Sequence, residues 1–545
     1  MASIEEIQAL IADNNERLQL LKRQEAQQGR NVDPSVVIEI KKIEEEIADL
    51  RAQLLQLQAA QQPPAVQPPT HVPFTNREDE LNLVLSSFAP AYYLVDAPAG
   101  YGKTEFLKEL EKRLKERRWR CVYAAVNENE SIDTLAKALT QKLELTLSTT
   151  SNLPWGAKMG GALWQQWQQI EDKEGLILLI DLDKKPSLDT LSYLLNSFIP
   201  DVQDSLRTLA FFANKHNRFR VIIAGRYLAA RKEVKDASIP FRSLRLSTFS
   251  YDIIRESAVE FLGGHQEESI KQLAAHLLYL TGGHPGCMAH VLEMYAQQGL
   301  PPDIFLQTFA LTIWREHVSD VVEEIRGGVP NDSRELHKIL DAVSLFRCLD
   351  YDILRHIITA YNITELDNAY DLADNLTETY ILGWKGRFLR DDIARRLLAI
   401  RLRHTQPEEF ARRSQQARQA CLERILAVQV QGPETWAIES LFQALQQHAN
   451  TVQDTTQRQA IRTQFFDHDL PTTLKTFIDQ REVPPKNIQA EKIALKQAME
   501  EDWEFRFTVN YYLRADQYNN EPYETLREKI DTFFEQKQNT GGPYD

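Results

Sequence analysis

The stretch that most constrains this chain is DAPAGYGKTE, residues 96–105, set between an apolar run, AYYLV, and a helix-like run, FLKELEKRLKE. A helix N-terminus presents N–H groups without intrahelical partners and a partial positive charge. When it follows a buried strand, and glycines let the backbone curl between the two, it becomes a cradle for phosphate. Gly100 and Gly102 permit the curl, Lys103 has the reach for β- and γ-phosphates, and Thr104 can place its hydroxyl on Mg²⁺. The strict pattern asks for glycine at 97, where this chain has Ala97. A glycine turn with a chance Lys-Thr pair is the competing reading. The strand before and the helix after favour the cradle.

A phosphate loop of this kind needs a carboxylate on a second strand. LILLIDLD supplies it about 80 residues on, with Asp181 closing an apolar run. Strand side chains alternate, so Asp183 shares the face of Asp181. It can orient an attacking water as a general base, or merely cap the following turn. RVIIAGR is a third apolar run, ending in Arg226. That arginine can meet γ-phosphate charge, or it is a surface residue at a strand end. The catalytic candidates are Lys103, Asp181, Asp183 and Arg226, with Thr104 and Asp181 as metal ligands.

Around these motifs, AYYLVDAP, RCVYAAVN, GLILLIDLD and RFRVIIAGR read as buried strands alternating with helices, which predicts a parallel sheet covered on both faces. TLSTTSNLPWGAKMGG, within 146–170, interrupts the alternation and reads as a loop. The fold class expected is multidomain α/β plus α. A P-loop NTPase core over 74–245 is followed by a helical domain over 246–325. Helices and then YILGWKGRFLR, a turn between two short strands, suggest a winged helix over 326–405. The stretch 406–545 is Gln-rich and helical, a possible sensor.

The N-terminal 60 residues carry two heptad seams, Ile4-Ile7-Ile11-Asn14-Leu18-Leu21 and Val36-Ile40-Ile43-Ile47-Leu50-Leu54-Leu57. Ser3 with Glu6 forms a capping box, and Asp33-Pro34 opens the second helix. The prediction is a helical hairpin over 1–60, held off the body by a Pro-rich linker over 61–73. So small a hairpin has little core of its own and seeks a partner or copies of itself.

The net charge of −15 weighs against nucleic acid as the main partner. Four well-separated cysteines indicate neither a zinc site nor a disulfide framework, and no apolar run approaches a membrane span. A cytoplasmic location without membrane contact is expected.

FTNREDEL (74–81), APAGYGKT (97–104), LLIDLD (178–183), IIAGR (222–226) and GGHPG (282–286), in this order, resemble the STAND-class NTPases. That class includes the maltose-regulon activator, apoptosome ATPases and plant disease-resistance receptors. The resemblance spans roughly 74–405. It implies ATP/ADP and Mg²⁺ as cofactors. It implies nucleotide contacts from Asn76 and Arg77 beside adenine and ribose, from the loop residues Ala99, Gly100, Tyr101, Gly102, Lys103, Thr104 and Glu105, and from Pro285 packed on the base. Locally, Thr75 to Glu78 also makes a capping box, and GGHPG also ends a helix. Many relatives carry a His-Asp pair in the winged helix that locks ADP. The matching stretch, LRDDIARR, has Asp391 at the histidine position, and Arg390 or Arg395 is the candidate replacement, unless the stretch is a plain amphipathic helix.

The N-terminal hairpin is similar to bacterial effector-associated domains, the alternative being a coiled-coil dimeriser. The resemblance thus implies a slow ATPase switch that oligomerises on a trigger and recruits an effector protein bearing a matching domain, in a bacterial conflict or immune system. The alternatives are a DNA-binding regulator and a constitutive ATPase.

Overall fold

A computed structural model of the chain describes, within 1–76, nine positions from Leu10 to Ile43. Beyond them it describes 77–86, 92–126, 132–146, 153–167, 175–182, 188–207, 219–226, 228, 232–237, 239–246, 248–262, 267–298, 300–327, 340–360, 369–378, 382–385, 388–391, 395–427, 432–448, 455–481, 483–484, 487–515 and 518–540. The chain divides into two compact units, one of residues 1–72 and 292–309 and one of residues 73–291 and 310–545.

In the first unit the nine described positions near the N-terminus are all helical. Val36, Ile40 and Ile43 of the second seam are buried, whereas Leu10, which lies off the seams, is exposed. Arg17 is ion-paired with Glu39. The expected hairpin as a whole, and the Pro-rich linker, lie outside the described residues.

The second unit is built on a parallel sheet. Its strands are β1 (Tyr92–Asp96), β2 (Arg120–Ala125), β3 (Leu176–Asp181), β4 (Phe219–Gly225) and β5 (Arg242–Arg245), in the order β2-β3-β4-β1-β5. All pairings are parallel, with Tyr93 opposite Ile222 and Ile180 opposite Ile223 fixing the register. Every residue of β1, β3 and β4 is buried, because helices cover both faces. Alternate side chains feed separate cores. Leu94, Leu178, Ile180 and Ile223 meet α3 (Ile132–Lys142), α4 (Trp155–Trp167) and α5 (Ile199–Arg207) on one side. Val95, Ile177, Leu179 and Ile222 meet α1 (Glu78–Leu85) and α2 (Lys103–Glu116) on the other. At about 1.5–3 kcal/mol per buried aliphatic side chain, this two-sided burial is what fixes the sheet.

Two features depart from the sequence reading. The fifth strand, RSLR, has too few apolar residues to stand out as a buried run, and pairs as an edge strand beside β1. The segment read as a loop within 146–170 is helical from Trp155 to Trp167. Its glycines are there for close approach: a Cβ on Gly156 would lie 2.6 Å from Asp201 Cβ, and one on Gly160 2.2 Å from Ser205 Cβ, both on α5.

After the sheet come α6 (Tyr251–Leu262), α7 (Glu267–Thr281), α8 (Pro285–Gln298) and α9 (Ser319–Gly327). A three-stranded antiparallel sheet, β6 (Cys348–Leu349), β7 (Leu382–Lys385) and β8 (Phe388–Asp391) in the order β6-β8-β7, encloses α10 (Tyr351–Ala360) and α11 (Ala369–Glu378) in sequence. The strand pair flanks the expected turn, and Lys385 sits opposite Phe388. Next in the chain are α12 (Arg395–Thr405), α13 (Pro407–Leu426), α14 (Pro433–Gln446), a helical stretch over 455–480 with two π-helical turns, α15 (Ile488–Glu501), α16 (Trp503–Leu513) and α17 (Glu521–Thr540). No helix among the described residues is long and apolar enough to cross a membrane.

Candidate phosphate site

The sheet order decides what meets at the carboxyl edge. β4 lies between β1 and β3, so the loop after Asp96, the Asp181 carboxylate and Arg226 emerge from three adjacent strand ends. Ligands of open parallel sheets gather at such an edge.

Gly100 (φ 72°) and Gly102 (φ 82°) adopt the left-handed backbone that curls the loop into α2. Gly102 is the N-cap and has no side chain to cap the first N–H groups, which leaves those donors for a ligand. Lys103, 7% exposed, folds back over the loop and donates to the Ala97 and Pro98 carbonyls at 2.8 and 2.6 Å. Burial first, and the neighbouring Arg226 charge second, lower its ammonium to about 8, against the pull of Asp96 and Asp181. Thr104 donates its hydroxyl to Asp181 Oδ2 at 2.7 Å. The phenol of Tyr123 on β2 donates to the same oxygen at 2.9 Å. Asp181 is 1% exposed, and its Oδ1 is buried without a hydrogen-bond partner.

That arrangement fits Mg²⁺. A hydroxyl and a carboxylate meet, one carboxylate oxygen is held ready, and the cation would take its other oxygens from phosphate and water. Among the described residues no group of three or more His, Cys, Asp or Glu side chains could hold a metal by itself.

The other positions named from the sequence divide. Arg77, buried, reaches the Tyr101 carbonyl at 3.4 Å and lies over the Phe249 ring, 4.8 Å from its centroid. Tyr101 buries its ring in the core beside α2. Glu105 is exposed and paired with Lys108 at 2.7 Å. Arg226 is bonded to Glu324 on α9 at 2.7 Å. Asn76 and Asp183 lie outside the described residues. Asp391 ends a strand rather than sitting in a helix. Arg395 is buried, donating to Glu504 and to the Ser344 carbonyl, so its charge is already engaged away from the loop.

What sequence reasoning missed is a clasp on the loop's outer side. Pro285 opens α8, and the residues on either side of it hold the loop. Gly286 N–H donates to the Gly100 carbonyl at 2.9 Å. His284 Nδ1 accepts from Cys287 N–H, so Nε2 carries the proton and donates to the Ala99 carbonyl at 2.9 Å. Burial holds this imidazole neutral, lowering it to about 4. Its ring meets Tyr101 edge-on, with centroids 4.8 Å apart. Gly282 and Gly283, both left-handed, make the turn, and Phe249 N–H donates to the Gly283 carbonyl at 2.7 Å. Arg396 on α12 then bonds Thr248 Oγ1 and the Phe249 carbonyl. The run of two glycines before His-Pro was the available signal for this turn.

No family model matches the chain, and no curated protein matches it. Solved structures are similar in part. A Walker-type ATPase of Pyrococcus abyssi is 16% identical over 60% of this chain and 95% of its own, with a TM-score of 0.39. The ORC2 protein of Aeropyrum pernix, solved with ADPNP and ADP, is 14% identical over 61% and 95%, with a TM-score of 0.38. A STAND protein with a tetratricopeptide-repeat sensor from Pyrococcus horikoshii is 15% identical over 88% of this chain and 65% of its own, with a TM-score of 0.29. Likenesses this low carry no argument. The P-loop NTPase fold of 92–246 rests on this chain's own strand order and loop geometry.

Proposed function

We propose that the chain is an ATP/ADP-dependent signalling switch of the STAND class that hydrolyses ATP slowly. One juxtaposition carries the nucleotide half of this reading: Thr104 and Asp181 in contact at 2.7 Å beneath a glycine-curled helix start, with Asp181 Oδ1 unsatisfied. Lys103 and the N–H groups of 100–104 would hold phosphates, and Thr104 with Asp181 would hold Mg²⁺. Mg²⁺ held there with nucleotide would supply charge neutralisation at the phosphates.

The switch half rests on two contacts between the phosphate edge of the sheet and the helices α8 and α9. Arg226 is held by Glu324, and a γ-phosphate would compete for that arginine. The clasp ties the start of α8 to the loop, so a loop reshaped by nucleotide is felt in the helices. Nucleotide biases such an equilibrium only through contacts that differ between states. In this reading 326–405 is a winged helix that moves with the switch. The N-terminal 60 residues form the hairpin that recruits an effector carrying a matching domain, and assembly of several chains in the cytoplasm of a bacterial host raises its local concentration.

The test is calorimetry of ADP and ATP with Mg²⁺ on the purified chain, then gel filtration with ATP and a candidate trigger. Wild type should bind and shift to a larger species, while Lys103→Ala and Asp181→Asn should do neither. A folded wild-type chain with no affinity for adenine nucleotides would remove the proposal.

A further inference from the structure

A cavity of about 340 Å³ away from the loop lies where α6 and the first turns of α7 face α16 and the turn at 518–520. Its aromatic wall is a cluster of three rings. Tyr251 is 4.9 Å from Tyr518 and 5.8 Å from Phe507, centroid to centroid, and Phe507 is 5.9 Å from Tyr518. Two arginines line it, Arg255 from α6 and Arg506 from α16. Neither guanidinium forms an ion pair or hydrogen bond among the described residues, although both are partly buried. Lys271, by contrast, is already answered by Glu267 and Glu268 at 3.2 and 3.8 Å. Glu268 keeps its other oxygen, Oε1, buried and without a partner. The Asn520 carbonyl oxygen is taken by Asn510, which leaves its amide N–H groups to the cavity.

Each feature asks for a different part of one ligand. Two guanidinium groups without an ion pair, in a lining that also holds the Asp252 and Glu268 carboxylates, favour an anion they can grip through paired N–H donors, and phosphate fits that geometry. Clustered rings favour a flat aromatic body. An orphaned carboxylate oxygen beside amide donors suits the mixed donor and acceptor edge of a base or a ribose. A cavity of about this size is at the small end of ligand pockets, room for one mononucleotide and no more. We infer that this cavity is a second ligand site, separate from the phosphate loop, for a nucleoside monophosphate whose phosphate sits between Arg255 and Arg506.

The inference goes beyond the nucleotide switch and does not need it. The test uses the full chain without added di- or triphosphate. AMP, GMP, CMP and UMP are titrated separately by calorimetry and by ligand-observed NMR. At least one should bind saturably to wild type and equally to Lys103→Ala, which disables the loop. Binding should weaken tenfold or more in Arg506→Ala and in Arg255→Ala, and recover in part in Arg506→Lys. Both arginines are partly exposed and unpaired, so the fold should survive, as a circular dichroism melt can establish. No saturable binding of any of the four, binding unchanged in both alanine variants, or binding lost with Lys103→Ala would each overturn it.

Discussion

At the scale of single residues, the phosphate edge is poised by charge and burial together. Lys103 spends its donors on two carbonyls of its own loop and sits at about 8, well below an ordinary lysine. Phosphate binding needs the ammonium, and a bound phosphate would hold the proton on it. The free amine must therefore regain its proton before binding once pH exceeds about 8. ADP affinity should fall about tenfold between pH 7 and pH 9, from the fraction still protonated. Calorimetry across that range checks it, and a flat profile would place the lysine outside the binding step. The folded chain on its own moves the opposite way. A base whose folded pKa lies below its unfolded value gains stability as pH rises, here between about 8 and 10.5. Arg226 makes a second case. Its ion pair with Glu324 is about one-third exposed on both sides, so it is worth on the order of 1 kcal/mol at most. Glu324→Gln should weaken the hold on the arginine and raise the ATP-to-ADP affinity ratio by up to about fivefold. Competitive titration of the two nucleotides reads this directly, and an unchanged ratio would mean that Glu324 does not restrain the arginine.

At the scale of elements, the clasp between the loop and α8 depends on glycine at a position where two backbones meet. A Cβ on Gly100 would lie 2.4 Å from His284 Cε1, whereas one on Gly102 would meet nothing within 4 Å. Both have positive φ, so alanine at either costs about 1–2 kcal/mol of backbone strain. Gly100→Ala must in addition push His284 off the Ala99 carbonyl. Its melting temperature without nucleotide should therefore drop several degrees further than that of Gly102→Ala. Equal drops would show the clasp to be loose. Acid should weaken the same contact. The unfolded chain takes up the His284 proton near pH 6.5 and the folded one only near 4, so stability is lost as pH falls through that window, by on the order of 3 kcal/mol in total. Elements of this kind were unevenly legible in the sequence. β1, β3 and β4 are continuous apolar runs because both faces are covered, and the phosphate loop is punctuated by glycines at short range, so these could be read directly. The helix from Trp155 could not. Its Gly156 and Gly160 look like breakers until α5, some 40 residues away, is seen to pack on them. The backbone half of the clasp was hidden for another reason: the bond from Gly286 to Gly100 joins backbone to backbone across the sequence and leaves no side-chain signature. Tyr123 went unnoticed because one phenol in an apolar strand reads as core, and only the β2–β3 pairing brings it to Asp181.

At the scale of the molecule, the segment past 406 is joined to the phosphate loop through α7. That helix has 15 residues and spans about 22 Å. Its C-terminal end runs into the glycine turn and His284, against the loop. Its last two turns are gripped by α16 and α12. His276 Nδ1 lies 3.2 Å from the Tyr511 hydroxyl, and Tyr279 stacks on Tyr511 with centroids 4.9 Å apart. Arg403 lies over the Tyr279 ring at 3.6 Å while donating to the Tyr279 carbonyl. A second, parallel tie runs through α12, where Arg396 bonds Thr248 and Phe249 and lies over Trp503. Packed aromatic and guanidinium contacts of this sort have few intermediate arrangements, so α7 either stays seated or leaves as a unit. If the seat restrains the clasp, loosening it should free bound nucleotide. Tyr511→Ala removes the stacked ring and the histidine partner together, and should speed ADP release several-fold in a chase with unlabelled ADP. Lys537→Ala, which removes an exposed pair with Asp479 and a contact over the Phe533 ring, should leave release unchanged and serves as the control. Equal release rates in wild type and Tyr511→Ala, with α16 still helical, would mean that the C-terminal helices brace the molecule without governing its nucleotide.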